Sequence, residues 1–143
     1  MARNYLPLRG EGREYRLRLT VRGQRNLTEE FGEDILQTVF LAPTDSRRMC
    51  ALLREALNWP GSGNEITDGE EFYDLLVDWG WHGQERFGWL AFDLAAASGL
   101  IADQQAEILK RRLHEAVQEA FSGRMADRQQ EEKGEAEPPF PRN

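Results

Sequence analysis

Tyr15–Gly32, YRLRLTVRGQRNLTEEFG, is the stretch that organises this chain. Tyr15, Leu17, Leu19 and Val21 recur at every second position, and Arg16, Arg18 and Arg22 occupy the alternate ones. That period predicts a strand with one apolar face and one arginine-lined face. After Gly23 the period changes. Leu27 and Phe31 stand four apart, the spacing of a single helical stripe, and Gly32 supplies the stop that helices favour.

Upstream, Tyr5–Arg9 and Glu14–Val21 read as two short strands joined at Gly10-Glu11-Gly12, a hairpin. Pro7 makes the first an edge strand or a loose partner. Gln24 or Asn26 opens the short helix that ends at Phe31. Glu33–Leu41 fits either a helix, through Ile35, Leu36, Val39 and Phe40, or a strand, through Thr38-Val39-Phe40. Thr44 or Asp45 caps a clearer helix with Met49, Leu52, Leu53 and Leu57 on its buried stripe. It ends near Asn58-Trp59, before the turn Pro60–Gly63.

Thr67 or Asp68 caps the next helix, whose apolar positions are Phe72, Leu75, Leu76 and Trp79. Another runs from about Gln84 to Ser98 and stops at Gly99. The last covers about Ala102–Phe121, where Ala106, Leu109, Leu113, Ala116 and Ala120 follow a coiled-coil-like spacing. That seam packs either on its own domain or on a neighbouring subunit. The reading is a single α+β domain over residues 1–123, mostly α-helical. A short N-terminal β-hairpin (about 5–21) packs on a bundle of about five helices (about 24–121). Residues 124–143 read as a disordered acidic tail, polar until Phe140.

Length and composition bound the functional class. The chain of 143 residues is one domain's worth, and 40% apolar residues support a core beside 30% charged ones. No apolar run reaches the roughly 18 residues of a membrane span, and the first residues lack the apolar stretch of a secretory signal. These features predict no membrane association and a cytoplasmic site of action. The single cysteine, Cys50, falls on an apolar helix phase and reads as reduced and buried. The net charge of −7 is uneven: residues 1–25 hold seven arginines against Glu11 and Glu14, and the remainder is strongly acidic. The arginines read first as the solvated face of a strand. Their sharper reading is a docking edge for an acidic partner, another copy of this chain included. Nucleic acid is not expected, because no aromatic interleaving or recognition helix accompanies the charge in sequence.

Residues for catalysis are scarce. His82 and His114 lack matched ligands at metal-binding spacing, so no metal or cofactor is expected. The acidic run Asp68, Glu70, Glu71, Asp74 and Asp78 reads first as a solvated face favoured by the dipole of the helix it opens, and second as a protein-docking face. Neither Gly-x-Gly, at Gly10–Gly12 or Gly61–Gly63, leads into a phosphate-binding βα unit. The expectation is a non-enzyme. Aromatic density is the better lead: Phe72, Tyr73, Trp79, Trp81, Phe87, Trp89 and Phe92 lie within about twenty residues. Phe72, Trp79 and Phe87 are in phase with a core. Tyr73, Trp81, Trp89 and Phe92 are partly out of phase and join Arg16, Arg18 and Arg22 as candidate partner-binding residues.

The order of parts resembles the tail assembly chaperone family of long-tailed bacteriophages and prophages. The pieces that carry the resemblance are Tyr15–Thr20, Leu27–Gly32, Asp45–Leu57, Thr67–Val77 and Phe87–Gly99, within residues 5–100. The Trp79–Trp89 link and the extended last helix depart from the pattern. The resemblance implies a non-enzymatic protein of the host cytoplasm that binds the tape measure and tail tube proteins before the tube polymerises. It also implies absence from the mature virion. Self-association is expected too. Two other classes remain open: a stand-alone adaptor for a helix or peptide, and a structural head–tail joining component.

Overall fold

The computed structural model describes residues 4–135, with side chains over 4–123. Two strands, β1 (Leu6–Gly10) and β2 (Arg13–Leu17), form the N-terminal antiparallel hairpin. Six α-helices follow: α1 (Val21–Phe31), α2 (Ile35–Leu41), α3 (Ser46–Leu57), α4 (Gly69–Asp78), α5 (Gly83–Ala97) and α6 (Asp103–Glu135). A 3-10 turn, Ala42–Thr44, joins α2 to α3. The expected α+β architecture holds, with one helix more than expected because Glu33–Leu41 resolves into a helix rather than a strand. Asp34 settles that choice, since its carboxylate accepts the Leu36 N–H at 2.8 Å and caps α2.

The hairpin turns on Glu11 and Gly12, with φ of 53° and 75°, the paired positive values of a tight two-residue loop. Leu8 faces Tyr15, and Pro7 faces Arg16. The Arg16 N–H and C=O point away from β1 and bond Asn64, each at 2.8 Å. Pro7 therefore sits where the ladder asks for no donor, as an edge proline should.

The second strand is shorter than the expected Glu14–Val21. Its ladder ends at Leu17, because β1 offers no partner beyond Leu6. Arg18–Thr20 continue outside the ladder, and the Thr20 hydroxyl accepts the Gly23 N–H at 3.1 Å, opening α1 three residues before the expected Gln24. Val21 is thereby moved off the apolar strand face: it begins α1 and is 69% exposed. The stop at Gly32 is as expected, with φ of 64° and its N–H bonded to the Thr28 carbonyl at 2.8 Å.

One core joins the hairpin to the helices. Tyr15, Leu17 and Leu19 are buried in one cluster with Leu52, Leu53, Leu57, Phe72 and Leu76, with the Tyr15 ring edge-on to Phe72 at 5.0 Å. The expected stripes of α3 (Met49, Leu52, Leu53, Leu57) and α4 (Phe72, Leu76) are buried, with Leu75 at their margin. The start of α4 meets α3 so closely that a Cβ on Gly69 would lie 1.9 Å from the Cys50 carbonyl oxygen. Cys50 is half-buried, and burial, followed by Glu70, Asp74 and Asp68, holds its thiol above the ordinary value.

An ion cluster ties α2 to α3. Arg48 grips Glu33 with two bonds of 2.7 and 2.9 Å, also contacts Asp45, and the Thr38 hydroxyl donates to Glu33 at 2.7 Å. The Arg48 bonds, then that of Thr38, bring the Glu33 carboxyl from 4.5 down to about 2. Residues 124–135 continue α6 past the expected end near Phe121. The remainder of the expected tail, 136–143, lies outside the described residues.

Two outcomes follow from this packing. Gly69→Ala should lower stability by about 1–3 kcal/mol in a chemical unfolding curve, although alanine is the better helix former, because backbone must give way. Because Glu33 binds a proton less readily when folded, its stabilising effect is complete above about pH 4.5 and is lost as pH falls towards 2. Glu33→Gln should accordingly flatten the decline of melting temperature between pH 4.5 and 2.

Candidate functional site

Arg16 and Arg18 stand on an edge that is built rather than merely solvated. The Tyr5 and Trp59 rings stack with centroids 6.1 Å apart. Arg16 lies over Tyr5 at 5.3 Å and Arg18 over Trp59 at 5.8 Å, so arginine, ring, ring and arginine form one ladder. The backbone beneath is clamped. Asn64 pairs with both backbone groups of Arg16 and also donates to the Leu57 carbonyl at 3.0 Å. The Trp59 indole N–H reaches the Arg16 carbonyl at 3.0 Å, and the Arg18 N–H bonds the Ala56 carbonyl at 3.0 Å. The aromatic interleaving that the local sequence lacks is thus supplied from residues 5 and 59.

Arg22 extends the basic surface. It is exposed on the first turn of α1 and lines a cleft of about 590 Å³ shared with Thr20, Asn26, Glu55 and Trp59. Glu55 is engaged elsewhere, accepting from Asn26 and Arg54 at 2.9 Å each. Among the described residues, Arg16, Arg18 and Arg22 form no ion pair.

The four aromatic candidates separate. Tyr73 stacks flat on Phe87 at 4.4 Å, and Trp81 meets the same ring edge-on at 6.0 Å while Arg86 covers it at 4.0 Å. Tyr73 and Trp81 are half-buried partners of one core ring. Trp89 is half-buried on the side of α5 that meets α6, with Lys110 5.9 Å above its ring. Phe92 is 7% exposed and packs against Phe40, which makes it a core residue rather than a surface anchor. Its spacing along α5 does not reveal this, because its ring partner Phe40 lies on α2, whose residues fit either a helix or a strand from sequence.

The end of α6 presents a further apolar surface. Ala106 is buried and Leu109 half-buried, and Leu113 rests over Gly88 of α5. Beyond Leu113 the seam is open among the described residues: Ala116 and Ala120 are exposed, Val117 is half-buried and Phe121 is 60% exposed. These residues and the start of α5 enclose a groove of about 410 Å³. The 3-4 spacing located the seam, while its division into covered and open halves depends on where α5 begins.

Acidic groups gather on α4. Glu70, Glu71, Asp74 and Asp78 are all exposed, and among the described residues none pairs with a cation. His82 is exposed at the start of α5, and exposed His114 contacts Glu85. Among the described residues, no three His, Cys, Asp or Glu side chains group as a metal site requires. No helix among them is long and apolar enough to cross a membrane. Comparison with protein-family models, curated proteins and solved structures returns no match for this chain.

Truncation separates the aromatic roles. Phe92→Ala should cost about 3–5 kcal/mol in an unfolding titration, the range for a buried ring. Trp81→Ala should cost less than half of that, because its ring is half-exposed and Arg86 can follow it.

Proposed function

We propose that this protein is a non-enzymatic assembly chaperone of the kind that serves long-tailed phage tails. Acting in the host cytoplasm, it covers the tape measure protein and holds tail tube subunits until the tube polymerises. It is then absent from the finished particle. The observation that carries this reading is the open half of the α6 seam. Val117, Ala120 and Phe121 stand out of the core along a groove that opens beside the start of α5.

A seam of this shape suits an amphipathic helix laid into a groove, where a few apolar anchors supply affinity and a charged rim supplies register. A tape measure protein is a long helical chain with apolar seams, so it presents the complementary surface and needs cover until tube subunits replace it. Small anchors such as Ala116 and Ala120 leave room for the partner's side chains without locking it in place. Reversible cover is what an assembly factor requires. The acidic character of the chain outside residues 1–25 keeps such a factor soluble while its seam is open.

Co-expression with candidate tape measure and tube proteins from its own genome tests the reading. The expected result is co-purification and a larger soluble yield of the tape measure protein, with Val117→Glu/Phe121→Glu reducing capture at least about ten-fold. Failure to co-purify with either protein overturns it. Stoichiometric recovery in finished particles overturns it in favour of a head–tail joining role.

A further inference from the structure

We infer that the ladder of Arg16, Tyr5, Trp59 and Arg18 is a carboxylate-binding edge that docks the acidic face of α4 from a second copy of this chain. The inference is independent of the chaperone reading. It rests on the ladder's chemistry, its rigidity and the charge it lacks.

The chemistry comes first. A guanidinium stacked on an aromatic ring loses its face to the ring and keeps its N–H edge free, and that edge matches a carboxylate with two parallel bonds. Arg16 and Arg18 each lie over a ring, at 5.3 and 5.8 Å from its centre, and among the described residues neither meets a carboxylate. The same stacking disfavours a single-stranded nucleic acid. Bases need open ring faces to stack on, whereas Tyr5 and Trp59 face each other and carry the two arginines.

Rigidity comes next. The Arg16 backbone is bonded by Asn64 and Trp59, and the Arg18 backbone by Ala56 at the end of α3. Little backbone freedom remains to be lost when a partner arrives. By contrast Arg9, Arg13, Arg48 and Arg54 already pair with carboxylates of their own chain. Arg16, Arg18 and nearby Arg22 do not, among the described residues.

The complementary surface is on the same molecule. Asp74 and Asp78 lie one helical turn apart, a rise of about 6 Å, with Glu70 and Glu71 a turn before them, all exposed and without a cation among the described residues. Arg16 and Arg18 lie two residues apart on extended chain, about 6.5–7 Å. One helical step therefore matches one strand step, and two adjacent carboxylates can meet two adjacent guanidinium groups. The charge imbalance has the same sense: the first 25 residues carry +5 and the remainder −12. Two different patches meet, so each copy retains one of each kind for a further copy, the arrangement that builds rings or filaments.

Light scattering across a concentration series is the test. The full chain should self-associate at 50 mM NaCl and dissociate towards monomer at 500 mM, as screening of exposed charges requires. Arg16→Glu/Arg18→Glu and Asp74→Arg/Asp78→Arg should each weaken association at least about ten-fold. An equimolar mixture of the two variants should restore it, because the reversed charges complement each other across copies. Melting curves confirm that each variant folds. If the doubly reversed ladder does not fold, Arg16→Glu alone, at an exposed position, takes its place. A chain that stays monomeric at low salt overturns the proposal. So does association that survives both reversals and is removed by Phe121→Glu. A ladder that binds single-stranded oligonucleotide while the chain stays monomeric overturns it in favour of nucleic acid.

Discussion

The outer edge of a two-stranded hairpin must be bonded to something, and the rest of this structure follows from how that need is met. A hairpin alone is marginal in water, with half of its second strand's backbone groups facing away from the first. Here those groups are taken up by side chains and helix ends. Asn64 holds both backbone groups of Arg16, Ala56 accepts from Arg18, and the Ser98 hydroxyl accepts from Leu19 at 2.8 Å. One extended segment is thereby fastened to the end of α3, the turn after it, and the end of α5. With that edge fixed, Tyr15, Leu17 and Leu19 can face only the helices, and they form the floor of the core.

The same clamp divides the molecule into a part that carries the fold and parts left for partners. Once the apolar face of the segment is committed to α3 and α4, the arginines have no core to enter and stack on Tyr5 and Trp59 instead. At the opposite end of the chain, α6 is longer than the α5 it packs on, so its apolar seam begins inside the core and ends outside it. Two surfaces of different chemistry result, one charged and rigid, the other apolar and grooved. Salt acts on the first and leaves the second almost untouched, which lets experiment separate them.

Much of the fold is legible in the sequence because it is local. The two-residue turn before β2, the caps at Asp45 and Asp68, the stop at Gly32 and the stripes of α3 and α4 each depend on residues within a few positions. The misreadings have one origin. The phase of Val21 matches the strand, yet a strand lasts only as long as its neighbour, and β1 ends opposite Leu17. Phe92 reads as out of phase on α5 because the ring it packs against, Phe40, belongs to α2, more than fifty residues earlier.

The candidate site shows the same limit. The arginine alternation can be read from Tyr15–Arg22, and so can the acidic run of α4, since both are patterns along the chain. The stacking partner Trp59 and the clamp Asn64 lie 43 and 48 residues from Arg16, and no spacing rule links them. Sequence alone therefore determined most element types, the capping regions of α3 and α4 and the charge imbalance, because short-range sterics, hydrogen bonding and composition set these. Tertiary structure alone decided which aromatics meet which arginines, and where the α6 seam leaves the core. Those depend on distances between segments, which periodicity does not encode.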